Sequence, residues 1–129
     1  MRITRNTIDV WSTEEYRDIP DSSLRIEAIE WTDERVDLIR NRTKRLGSGE
    51  IDIEPKWATE AAMDVYRLAG PAHSGGSLQV VGFSQSCRAV LKVWLYPKDL
   101  EAGAWYGASA CLASQTNQRQ YKKRKEEGN

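Results

Sequence analysis

Apolar residues recur at helical spacing in the first half of this chain and at a spacing of two in the second half. In "LRIEAIEW" Leu24, Ile26 and Ala28 alternate with Arg25, Glu27, Ile29 and Trp31, which predicts a strand. Val36, Ile39, Thr43 and Leu46 follow at helical spacing, with Thr32 placed as the cap, Asp33 and Glu34 at the positive end and Gly47 as the stop. A helix between Thr32 and Gly47 is the expectation, and Arg35, Arg42 and Arg45 share its other face. Pro55 suits the first turn of a second helix carried by Trp57, Ala58, Ala61, Ala62 and Val65, and "LAGPAHSGG" behind it reads as a Gly-rich loop.

"SLQVVGFS", "CRAVLKVWLYP" and "AWYGASAC" predict three strands, joined by a tight Gln85-Ser86 turn and the loop "KDLEAG". Connections this short make them antiparallel neighbours. In the middle strand Ala89, Leu91, Val93 and Leu95 face one way, toward the helices. Arg88, Val90, Lys92, Trp94 and Tyr96 face the other. The chain closes on a turn of polar residues and a basic helix, "QTNQRQYKKRKEE". The expected architecture is α+β: a mainly antiparallel sheet of about four strands with helices packed on one face. The main domain is expected over 24–125, behind an extension of residues 1–23 with a short helix around "NTIDVWSTEEYR", and followed by a tail at 126–129.

The 129 residues fit one domain, and 40% hydrophobic with 29% charged residues is the composition of a globular protein. Nineteen basic and nineteen acidic side chains cancel, so attraction to nucleic acid must be local. The charges are clustered: "RNRTKR" and "KKRK" are basic, "STEEYRDIPD" and "GEIDIE" acidic, a pattern that suits a basic face with an acidic back. Cys87 and Cys111 have no metal-ligand spacing and read as free thiols of a reducing cytoplasm. With no signal-peptide core and no apolar run long enough for a bilayer, a cytoplasmic protein without membrane contact is expected.

Several local patterns have plain readings. "GFSQS" lacks the second glycine of a hydrolase elbow, and "HSGGS" lacks the Lys-Ser/Thr of a phosphate loop. His73, the single histidine, sits in the Gly-rich loop as a surface residue. Cys111 has no histidine placed to activate it and reads as a small buried residue.

Four fragments taken in order carry a resemblance. "IEWTDERVDLI" with "KRLG", "IDIEPKWATEAAMD", "VVGFSQSCRAVLKVW" and "GASACLASQTNQRQYKKR" are similar to successive segments of the BrnT family of type II toxins, relatives of the RelE and ParE toxins. They span roughly residues 25 to 124. The resemblance implies a metal-independent endoribonuclease, needing no cofactor, that is silenced in a hetero-oligomer with a cognate antitoxin. Such toxins let the ribose 2′-hydroxyl attack the adjacent phosphate, chemistry open to RNA and closed to DNA.

Carried over residue by residue, Arg45 and Lys44 match the end of the basic helix, Arg88 the strand arginine, and Arg119 and Tyr121 the closing helix. Leu46, Cys111 and Gln115 depart from the pattern, standing where the family has His, Arg and Arg. A thiol or amide does not replace a guanidinium at a phosphate. Lys92, on the face of Arg88, is the expected substitute charge, with Trp94 and Tyr96 as stacking surfaces. Arg45, Arg88, Lys92 and Tyr121 are thus the catalytic candidates, and Lys44, Arg42, Trp94, Tyr96 and Arg119 the RNA-binding ones, with no metal site. The alternatives are a catalytically inactive BrnT-like binding module and a toxin acting on a protein target.

Overall fold

The computed structural model describes residues 25–71 and 77–128. Its elements in order are β1 (Ala28–Glu30), α1 (Asp33–Arg40), α2 (Arg42–Leu46), α3 (Pro55–Ala62), β2 (Leu68–Pro71), β3 (Leu78–Ser84), β4 (Ala89–Asp99), β5 (Ala104–Leu112) and α4 (Gln115–Glu127). The strands form one sheet in the order β1-β5-β4-β3-β2. β1 runs parallel to β5, and the other pairings are antiparallel.

The period-two pattern sets the main core. Leu91, Val93 and Leu95 of β4 are fully buried, as are Leu78 and Val80 of β3, against Ile39 of α1 and Ala58, Ala61 and Ala62 of α3. The alanine face and Gly82 let α3 lie close on the sheet: a Cβ at Gly82 would stand 1.9 Å from the carbonyl oxygen of Ala61. The Gly-x-Ser of "GFSQS" is thereby explained by packing. Ser84 and Ser86 donate their hydroxyls to the Glu60 carboxylate at 2.8 and 2.7 Å, tying the β3–β4 turn to α3.

α4 packs on the other face of the sheet. Its Tyr121 is buried against Val81, with Phe83 and Val90 alongside. Helices therefore cover both faces, not one, because alternation along β3 and β4 leaves Val81, Phe83 and Val90 apolar on the side away from α3.

The sheet has five strands where a mainly antiparallel sheet of about four is expected; it is mixed through the one parallel pairing of β1 with β5, and its other three pairings are antiparallel. The added strand is β2, whose Leu68–Pro71 lies inside the segment read as a Gly-rich loop and pairs with Val81–Leu78 of β3. Its proline is tolerated because β2 is an edge strand. The first predicted helix is broken at Asn41 (φ −118°, ψ 32°) into α1 and α2. Thr32 caps α1 as expected, accepting from the N–H of Arg35. Val65 falls beyond α3 and is 79% exposed. α4 runs on to Glu127, into the expected tail. The expected extension and His73 lie outside the described residues. Among the described residues no helix is long and apolar enough to cross a membrane.

One irregularity shapes the site. Trp94 of β4 pairs with Ser109 and Leu95 with Gly107, so Ala108 is an extra residue on β5. Such a bulge frees a backbone group from the ladder. The Ala108 carbonyl accepts from Arg35 Nη1 at 3.3 Å, and Gly107 leaves room for the Trp31 ring, which a Cβ there would meet at 2.5 Å.

Candidate nucleic-acid interface

Lys92, Trp94 and Tyr96 alternate along β4 on the face away from the α3 core. Each is partly exposed. Lys92 Nζ lies 5.3 Å from the centroid of the Trp94 ring, a cation–π contact. Trp94 and Tyr96 line a cleft of about 320 Å³ together with Arg35, Arg42, Ser77 and Ser109. The two arginines come from different helices. Arg35 is anchored on the bulge at Ala108, and the break at Asn41 turns the next segment so that Arg42 also borders the cleft.

Cys111 pairs with Lys92 across β4 and β5. Burial raises its thiol pKa, while the positive charges of Arg42 and Lys92 pull the other way and Glu50 adds to the rise. Burial wins, so the thiol stays protonated at neutral pH and is no nucleophile. The position where the resemblance leads one to expect an arginine is thus a neutral group inside the field of two cations drawn from α2 and β4.

The segment after α2 clasps the basic run. Arg42 Nε and Nη2 both donate to Oε1 of Glu50, at 3.1 and 2.7 Å. The Thr43 N–H and hydroxyl both donate to Oδ1 of Asp52 at 2.9 Å. Arg40 Nε donates to Glu54 at 2.9 Å. Ile53 between them is fully buried, and its N–H donates to the Ile39 carbonyl at 2.8 Å. Alternation in "GEIDIE" therefore turns three acidic side chains onto residues 40–43. The expected division into a basic face and an acidic back does not hold here.

The remaining candidates are spread out. Arg45 is exposed and donates from Nη2 to the Leu38 carbonyl at 2.9 Å. Lys44 is exposed on α2. Arg88 is exposed at the end of the four-residue β3–β4 turn, with φ 60° and its N–H donating to the Ser84 carbonyl at 2.7 Å. Arg119 borders a groove of about 510 Å³ beside α4, with Val90, Tyr121, Lys122 and Lys125. Tyr121 is 5% exposed and donates its hydroxyl to Asp64 Oδ2, which anchors α4. Burial first, then this bond and the Asp64 charge, push its pKa upward.

Of the residues singled out in the sequence, Arg42, Trp94 and Tyr96 line one cleft and Lys92 lies against Trp94, whereas neither Arg45 nor Arg88 is among the lining residues. Arg35, Ser77, Ser109 and Glu50 join them. For Arg35 the seven-residue spacing to Arg42 is a signal in the sequence, whereas the two serines and Glu50 have none. Among the described residues no three His, Cys, Asp or Glu side chains stand together as a metal-ligand set. No protein-family model, no curated protein and no solved structure matches the chain.

Proposed function

We propose that the protein is the toxin half of a type II toxin–antitoxin pair, a BrnT-like endoribonuclease that grips single-stranded RNA in the Arg35–Arg42–Trp94 cleft. One observation carries this reading: Arg35 and Arg42 line one cleft with the partly exposed rings of Trp94 and Tyr96, and Lys92 lies against Trp94. Cations beside stacking surfaces suit an unpaired nucleotide, whose phosphate and base need both at once.

In the reaction the 2′-oxygen bonds to phosphorus as the bond from phosphorus to the 5′-oxygen breaks. One fragment ends in a 2′,3′-cyclic phosphate and the other in a 5′-hydroxyl. Arg35, Arg42 and Lys92 stabilise the charge that gathers on the phosphate oxygens, where one preorganised donor is worth about 3 kcal/mol. Trp94 and Tyr96 hold the flanking bases, at about 1–3 kcal/mol each. Water carries the protons, since the Cys111 thiol stays protonated. An antitoxin presents acidic side chains to the same cleft and excludes RNA.

The engagement of Glu50 favours a second reading, a binding module that keeps RNA or a protein partner without cutting it. Purified protein is incubated with a labelled single-stranded RNA and with the same strand bearing 2′-deoxy sugars. Cleavage of the ribose strand alone supports the nuclease. Binding of both without cleavage supports the module. Growth arrest on induction with neither binding nor cleavage points to a protein target.

A further inference from the structure

Arg42 borders the cleft with its side chain 12% exposed, against 33% for its partner Glu50. Its Nε and Nη2 converge on one oxygen of that carboxylate. These two donors form the edge of a guanidinium that takes two oxygens of a phosphate side by side. Glu50 also acts on Cys111, as do Arg42 and Lys92, so its charge reaches into the same field.

Bracing alone does not require it. Asp52 on Thr43, Glu54 on Arg40 and the Ile53–Ile39 backbone bond already hold the segment after α2 against α1 and α2. Glu50 differs from Asp52 and Glu54 in that its partner borders the cleft. Arg42 and Lys92 both act on Cys111, and an anion on Arg42 offsets the repulsion between these like charges.

We propose that Glu50 occupies on Arg42 the place of a ligand phosphate, an internal anion that a polyanionic strand displaces when it enters the cleft. This rests on the reading of the cleft as a phosphate-binding site. The consequence is selectivity by charge. A ligand carrying one phosphate exchanges one anion for another on Arg42 and gains little. A strand that also places phosphates on Arg35 and Lys92 gains contacts that Glu50 never made.

The test compares the native protein with Glu50→Gln, Glu54→Gln, Arg42→Ala and the Glu50→Gln/Arg42→Ala double variant. Binding of a fluorescent single-stranded RNA is followed by anisotropy at several salt concentrations, and each melting temperature is recorded. In parallel, the Arg42 Nε–H resonance is followed by NMR as inorganic phosphate is added. Glu50→Gln is expected to bind RNA about fivefold or more tightly at low salt, with a salt slope steeper by about 1. Glu54→Gln, which removes a comparable clasp outside the cleft, leaves affinity unchanged. The double variant binds no better than Arg42→Ala, and the Arg42 resonance moves with phosphate more readily in Glu50→Gln than in the native protein.

If the native protein binds RNA and Glu50→Gln binds it equally or more weakly, the inference is overturned while the RNA reading stands. If neither binds RNA but phosphate reaches Arg42 only once Glu50 is neutralised, the inference stands and the RNA reading falls. If phosphate shifts the Arg42 resonance equally in both, with no gain in RNA affinity, Glu50 is a brace and the inference is wrong.

Discussion

Tyr121 donates its hydroxyl hydrogen bond to Oδ2 of Asp64, the same oxygen that accepts the N–H of Phe83 at 2.8 Å. The other oxygen accepts from the N–H of Tyr66 at 3.0 Å. One carboxylate thus ties α4, β3 and the turn after α3. Removing the hydroxyl in Tyr121→Phe deletes a bond to a charged acceptor at little cost in shape, and is expected to lower stability by about 1.5–3 kcal/mol in urea unfolding.

The same contact predicts an alkaline limit. The ordinary pKa of a tyrosine is 10.0, and that of Tyr121 is raised in the folded chain. Its contribution is complete below pH 10.0, the unfolded value, and is lost as pH climbs from there through the folded value. Stability of the native protein should fall over that range by more than that of Tyr121→Phe, as read by circular dichroism against pH.

Gly82→Ala is expected to cost about 3 kcal/mol or more, because the added methyl would lie 1.9 Å from the Ala61 carbonyl oxygen and backbone must move. Gly70→Ala is the matched control in β2. Nothing lies within 4 Å of its Cβ, so the change should stay within about 0.5 kcal/mol. Thermal unfolding of the two variants checks the difference.

Glu60 gives an acid limit. Burial raises its pKa, but bonds from Ser86 and Ser84 outweigh this, and the carboxyl lies below its ordinary 4.5. A depressed folded pKa contributes stability that is complete above the unfolded value and disappears as pH falls through the folded one. The native protein should therefore lose stability below about pH 4.5 by more than Glu60→Gln does, in urea titrations repeated at successive pH values.

For RNA binding, Trp94→Ala is expected to weaken affinity by about tenfold, within the 1–3 kcal/mol of one stacked base. Arg35→Ala and Arg42→Ala should each reduce both affinity and its salt dependence, the slope falling by about 1. Arg45→Ala and Arg88→Ala, outside the cleft, should change affinity less than twofold, as measured by anisotropy on one labelled strand.

Much of the fold is legible from spacing. The alternation of Leu91, Val93 and Leu95 against Lys92, Trp94 and Tyr96 assigns the two faces of β4, because the strand period is local and survives any tertiary arrangement. Thr32, Gly47 and Pro55 mark helix ends for equally local reasons. β2 was hidden because "LAGP" has no strand signature of its own; it is a strand only through its pairing with β3. The break at Asn41 was hidden too, as the apolar spacing continues across it.

The order of residues along the chain settled which side chains point to the core, where the helices start, and that a cationic and aromatic face exists on β4. Folding decided which cations reach that face. Arg35 and Arg42 are brought there by the Ala108 bulge and the turn between α1 and α2, while Arg45 is directed to the Leu38 carbonyl and Arg88 is left on the β3–β4 turn. Direction along one element follows from the backbone period, which any short stretch carries. Convergence of side chains from α1, α2, β4 and β5 depends on how those elements pack and bend, and that information is distributed over the whole molecule.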